Sequence, residues 1–274
     1  MAIDYTTVTE VPGALASAEQ LSMLYTRYHL AAEFSAGKDV LEVACGRGQG
    51  LGYLERRAKR VVGGDYTESL LRAAQRWYGG RVPLVRLDAH RLPFAKASFD
   101  VVILHEAIYY LARPEEFVDE ALRVLRPGGE LVICSANREW SGFNPSPFST
   151  RYLSAQQLRE LLASRGLEAK VFGAFPVTVS GFRQKATARI REAAVRWHLI
   201  PKTMKGKALL KRLFYGRLTR IENEVREGMG DVAPLHPIAE WEEQPQYKVI
   251  YALGRVGAPV RAAAGQERVL VREG

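Results

Sequence analysis

Short apolar runs alternate with amphipathic stretches through the middle of the chain. "DVLEVA", "RVVGGD", "VPLVRLD", "FDVVILH" and "ELVICSAN" are brief, rich in β-branched residues and bounded by Gly, Pro or charge, which predicts strands. Between them "LGYLERRA", "TESLLRAAQRWY" and "PEEFVDEALRVL" carry helical periodicity, the last with Pro114 in the first turn, where a missing N–H is tolerated. Continuous apolar strands separated by helices imply a parallel sheet covered on both faces, because parallel neighbours need crossover connections. The fold class is therefore α/β: a doubly wound, Rossmann-like sheet of about seven strands.

The flanks extend this pattern. "SAEQLSMLYTRYHLAAEF" has Ser17 followed by Gln20, a capping-box spacing, and then apolar residues at Leu21, Leu24, Tyr28 and Ala31 or Ala32, so an N-terminal helix is predicted. "SAQQLRELLASRG", Ser154 to Gly166, repeats the capping signal, "LEAKVFGAF" reads as a sixth strand, and "YKVIYALGR" brings the last one only at Tyr247. Helical stretches are expected between them, in "RQKATARIREAAVRWHLI" and "KALLKRLFYGRLTRIENEV". The expected organisation is an N-terminal helical segment (1–36), a core (37–175), a basic helical insert or lid (176–245), the last core strand (246–256) and a loose tail (257–274).

The net charge of +9 changes the picture because it is local. Twelve Lys or Arg and one acid, Glu192, lie between Gly181 and Arg220, which leaves 27 basic against 29 acidic residues elsewhere. Such a segment suits a phosphate-bearing partner or an anionic membrane surface, and a solvated helix face accounts for it equally. With only Cys45 and Cys134, neither a disulfide framework nor a metal cluster is expected. No signal-like start and no apolar run of membrane length occur in the sequence, so the expectation is a reduced, cytoplasmic, soluble chain.

"LEVACGRGQG", Leu41 to Gly50, follows the first core strand with three glycines at alternate positions, which allows a ligand to approach the main chain at the end of a parallel strand. The second core strand ends in Asp65, 19 residues after Gly46, where a carboxylate can accept from two ribose hydroxyls. A nucleoside is favoured over a dinucleotide, because Leu51 replaces the third glycine of the dinucleotide pattern.

At these residues the chain resembles the class I S-adenosylmethionine-dependent methyltransferases, including the methyltransferase domain of ubiquinone and menaquinone biosynthesis enzymes. Five ordered segments between about Lys38 and Phe175 carry the resemblance: "LEVACGRG", "GGDYTESLL", "LDAHRLPFAKASFDVV", "HEAIYYL" and "ALRVLRPGGELVI". Ala44 departs from the pattern by replacing the first glycine. The resemblance implies S-adenosylmethionine as cofactor, with S-adenosylhomocysteine as product. By it Glu42 orders the loop, Ala44 and Gly46 border the methionine part, Asp65 takes the ribose, Tyr66 packs on the adenine, Asp88 accepts from the adenine amino group beside Ala89, and His105 lies near the methionine moiety.

In methyl transfer the cofactor carries the activation and the protein positions the reactants and, where needed, removes a proton. Candidate bases are His105, His90, Glu106, Tyr109 and Tyr110, with His105 and Tyr109 placed first. "WSGFNPSPFSTRYLS" supplies an aromatic substrate wall, in which Trp140 and Phe143 join Tyr110. The segment "LHEA" after the fourth core strand lacks the Pro-Pro-aromatic loop of base-amine methylases, and Cys134 reads as a buried hydrophobe, so nucleic acid is not the expected partner. The expected function is methylation of a small-molecule or lipid- or sugar-linked acceptor. RNA or protein methylation through the basic insert and cofactor binding without chemistry are the alternatives.

Overall fold

The computed structural model describes residues 5–177, 218–239 and 243–257. A 3-10 turn, Tyr5–Thr7, precedes β1 (Leu15–Ala16) and α1 (Ala18–Ser35). The core then runs β2 (Asp39–Val43), α2 (Leu51–Glu55), β3 (Arg60–Asp65), α3 (Glu68–Tyr78), β4 (Leu84–Arg86) and β5 (Phe99–His105). It continues through a 3-10 turn (Ile108–Tyr110), α4 (Pro114–Val124), β6 (Leu125–Ala136), α5 (Ala155–Ala163) and β7 (Leu167–Pro176), and closes with β8 (Thr219–Arg220), β9 (His236–Pro237) and β10 (Tyr247–Val256).

Eight of the described strands form one sheet in the order β4-β3-β2-β5-β6-β10-β7-β9. β2 pairs in parallel with both β3 and β5, so the chain order reverses at β2 and opens a crevice beyond the carboxyl ends of these two strands. β10 runs antiparallel between β6 and β7. Both expected capping boxes form, at Ser17 with Gln20 and at Ser154 with Gln157.

Strand alternation divides the core between the two faces. Val40, Val101 and Ile103 join Leu24, Tyr28 and Leu54 on the α1 side, while Leu41, Val102 and Leu104 join Phe117, Val118 and Leu158 on the α4 and α5 side. By the same period Glu42 and His105, at the ends of neighbouring strands, both face α1. Tyr28 meets them there, and its ring passes over Gly50, where a Cβ would lie 1.7 Å from Tyr28 Cε1.

The expected basic helical insert is only partly testable, since residues 178–217 lie outside the described residues. Where it is described, from 218 to 239, it is not helical. β8 pairs antiparallel with β1, and Ile221 and Val225 are buried against the α1 and α2 cluster. Burial of those two residues and strand pairing over some 200 positions of sequence override the local helical pattern in "LTRIENEV".

Candidate functional site

The crevice beyond β2 and β5 opens into a cavity of about 870 Å³. That volume lies toward the upper end of the roughly 300–1,000 Å³ typical of ligand pockets. Ala44, Gly46, Asp65, Tyr66, Asp88, Ala89, His105, Tyr109, Tyr110, Trp140 and Phe143 all line it. Of the sequence-derived site residues only Glu42 stays behind the wall.

Glu42 is fully buried and its Oε1 accepts from the Tyr28 hydroxyl at 2.6 Å. Burial lifts its carboxyl to about 7, against the opposing pull of the Tyr28 bond and of Arg27. It thus ties β2 to α1, and the loop after β2 is ordered by another residue. That residue is Asp65, whose Oδ2 accepts from the Gly46 N–H at 2.8 Å and whose Oδ1 accepts from the Thr67 N–H at 2.7 Å. Gly46 sits at φ +58, and Ala44 adopts the same left-handed region at φ 58 without the freedom of glycine. Each carboxylate oxygen has a second lone-pair site, so Asp65 can still accept from a ligand.

Asp88 caps its own turn: Oδ1 accepts from the His90 N–H at 2.9 Å and from His90 Nδ1 at 2.7 Å. The Arg113 N–H donates to His90 Nε2 at 3.3 Å, which places the ring proton on Nδ1 and holds His90 as a support for Asp88. These bonds keep the Asp88 carboxyl below the usual range against some burial.

The other end of the cavity is differently built. His105 is buried, at 6% exposure, lies edge-on to Tyr28 with ring centres 5.1 Å apart, and neither ring nitrogen has a hydrogen-bond partner. Burial, helped by Arg27, holds its imidazole well below the usual pKa, so the ring is neutral. Tyr109 donates to Glu106 Oε2 at 2.9 Å and Tyr110 to Ser146 Oγ at 2.8 Å. The Thr150 N–H donates to the Tyr109 carbonyl at 2.8 Å, which closes the 137–154 loop over this end. Phe143 packs edge-on against Tyr152 at 4.6 Å, and Lys248 Nζ lies 5.6 Å from the Trp140 ring centre.

Three contributors were not singled out from the sequence. Arg27 is buried in the cavity wall and pairs with Glu10 of the N-terminal segment. Tyr28 bridges Glu42 and His105. Tyr5 packs on Tyr110 at 5.1 Å and on Phe148 at 6.2 Å, so residues 5–10 form a strap over the cavity. Arg27 and Tyr28 sit inside an ordinary helical period, and nothing in "YTTVTE" marks the strap.

These residues fit a nucleoside-bearing cofactor. Carboxylates stand at the ends of β3 and β4, the main-chain loop after β2 lies open beside Asp65, and an unpartnered imidazole faces the same space. Together with the reversed β10, they define a doubly wound, Rossmann-like α/β fold with a ligand crevice at its switch point. Residues 41–133 match the family model described as a methyltransferase domain.

A probable S-adenosylmethionine-dependent methyltransferase of Mycolicibacterium smegmatis is 38% identical over 149 residues, 52% of this chain and 57% of that one. A demethylmenaquinone methyltransferase of Clavibacter sepedonicus is 39% identical over 101 residues, covering 36% and 41%. A phthiotriol/phenolphthiotriol dimycocerosates methyltransferase of Mycobacterium ulcerans is 41% identical over 100 residues, covering 35% and 37%. The matched stretch thus spans little more than half of these relatives at most. The YcgJ protein of Bacillus subtilis shares the fold at a TM-score of 0.54 and 17% identity, over 87% of this chain and 98% of its own. Among the described residues no helix is long and apolar enough to cross a membrane, and no His, Cys, Asp and Glu cluster could hold a metal ion.

Proposed function

We propose that the chain is an S-adenosylmethionine-dependent methyltransferase whose acceptor is a small or lipid-linked molecule. The observation that carries this reading is the junction of two unlike ends in one cavity: a carboxylate-lined nucleoside end at Asp65 and Asp88, and an aromatic end at Tyr109, Tyr110 and Phe143. When bound, the cofactor supplies a methyl group already activated on a sulfonium. Asp65 and Asp88 would hold the ribose and adenine, Tyr66 and Ala89 would border the adenine, and Ala44 and Gly46 would leave room for the methionine part. The remainder of the cavity, walled by aromatic rings, is left for the acceptor. Relatives named for a menaquinone precursor and for a lipid support that acceptor class.

The test is transfer from methyl-tritiated S-adenosylmethionine to extracted lipids, quinols and small phenols, with RNA and protein in parallel. Label in an organic-soluble product is the expected result. Cofactor binding with no transfer to any of them would turn the reading toward a binding protein, and label in RNA or protein would move the acceptor class.

A further inference from the structure

Glu106 is the first residue after β5, and its backbone is left-handed at φ 51, a conformation that a non-glycine residue rarely adopts. Its N–H donates to the Cys134 carbonyl at 2.8 Å, which fixes that conformation and sets the side chain in the cavity wall. There Oε2 accepts from the Tyr109 hydroxyl at 2.9 Å and from the Ala136 N–H at 3.2 Å, while the Cys134 thiol lies 3.6 Å from Oε1. The charged and titratable groups around it are Arg27 from α1, Glu10 from the strap, Tyr109 from the following turn and Cys134 from β6, and its charge also reaches Tyr110, Tyr152 and Tyr251.

The charge balance of this cluster gives Glu106 its chemistry. Arg27 is already paired with Glu10, so an ionised Glu106 is a second, surplus carboxylate in a buried site. Burial and Glu10 raise its carboxyl above the ordinary range, in spite of Arg27. Taking up a proton therefore relieves the cluster. His105 is the opposite case, because a proton there would place a second cation beside Arg27. The neighbouring wall is aromatic: Tyr5, Tyr110 and Phe148 pack with centroids 5.1 and 6.2 Å apart, a surface suited to a planar ring.

Resting on the methyl-transfer reading, we propose that Glu106 accepts the proton of an aromatic hydroxyl acceptor, and that Tyr109 positions its carboxylate. A phenol, with a pKa near 10, is within reach of a carboxylate base during transfer, whereas an aliphatic alcohol is far less acidic. The phenolic oxygen forms the new O–C bond to the methyl of the sulfonium donor. The S–C bond breaks with its electron pair left on sulfur, and the O–H proton passes to Glu106.

The test uses the full chain, saturated with S-adenosylhomocysteine, and 4-nitrophenol as the probe, read by its phenolate absorbance. In the wild type the Glu106 carboxylate should hold the bound probe protonated. Glu106→Gln still accepts from Tyr109 and Ala136 but carries no charge, and should lower the bound probe's ionisation midpoint by about one pH unit or more. With a phenolic acceptor, the same substitution should lower kcat by roughly 100-fold or more with little change in KM, and should abolish the acidic limb of the pH profile. Glu106→Asp should recover part of the rate, and stands in for the Gln variant if that chain does not fold. A probe that fails to bind the S-adenosylhomocysteine complex, or has the same midpoint in both proteins, overturns the proposal and leaves methyl transfer intact. Failure of the wild type to bind S-adenosylhomocysteine overturns both.

Discussion

The two ends of the cavity are stabilised in contrasting ways. At the nucleoside end the two carboxylates have their partners nearby and largely from main chain: Asp65 takes N–H groups of Gly46 and Thr67, and Asp88 takes its own turn. At the acceptor end a buried guanidinium, its partner Glu10, a strained glutamate and an unpartnered imidazole come together from α1, the strap and the end of β5. The first end is preorganised by local bonds and is cheap to perturb. The second concentrates charge in a buried place, where removal of one member is felt by all the others.

The largest expected effect follows from that difference. Arg27→Met removes the cation paired with Glu10 and nearest to Glu106, and thermal or urea unfolding should show a loss of about 3 kcal/mol, the low end for a buried pair because the Glu10 side chain is 45% exposed. A loss no greater than that of an exposed-pair substitution would break the contrast.

Glu42→Gln comes next and acts through pH. The folded pKa of Glu42, about 7, lies above its unfolded value, so the native state binds the proton more tightly. The stability contributed is complete at low pH and is lost as pH rises from about 4.5 through about 7, a range of up to about 3 kcal/mol. Unfolding from pH 5 to 8 should therefore show wild type losing stability relative to the Gln variant, which keeps an acceptor for Tyr28. Parallel curves would contradict the assignment.

His105→Phe removes two buried nitrogens without partners and keeps a planar ring. It should leave stability unchanged or raise it by about 1 kcal/mol while methyl transfer falls, which separates a ligand-facing group from a structural one. The smallest effect belongs to the nucleoside end. His90→Ala should cost under about 1 kcal/mol, because the Asp88 side chain it supports is half exposed.

The contrast also explains how much was readable beforehand. The nucleoside end is written in short segments: the strand, loop and glycines of Leu41 to Gly50, Asp65 at a strand end and Asp88 before a turn all announce themselves locally. Pro114, Ser17 and Ser154 similarly mark their helices. The acceptor end depends on which distant side chains share a face, and periodicity cannot tell Arg27 in a buried wall from Arg27 on a wet surface. Glu106 could be named as a candidate base, but its left-handed backbone and its contact with Tyr109 emerge only once β5 and β6 are side by side. The helical pattern around Arg220 misled because β1, its partner, lies far away in the chain.

The most direct test of the central claim is calorimetric titration of S-adenosylhomocysteine into wild type, Asp65→Ala and Glu106→Gln. The account predicts binding by wild type, a loss of roughly 100-fold in affinity on removal of the Asp65 carboxylate and its charged hydrogen bonds, and near-normal affinity in the Gln variant. Equal affinity in all three, or no binding by folded wild type, would contradict a cavity whose nucleoside end is built on Asp65.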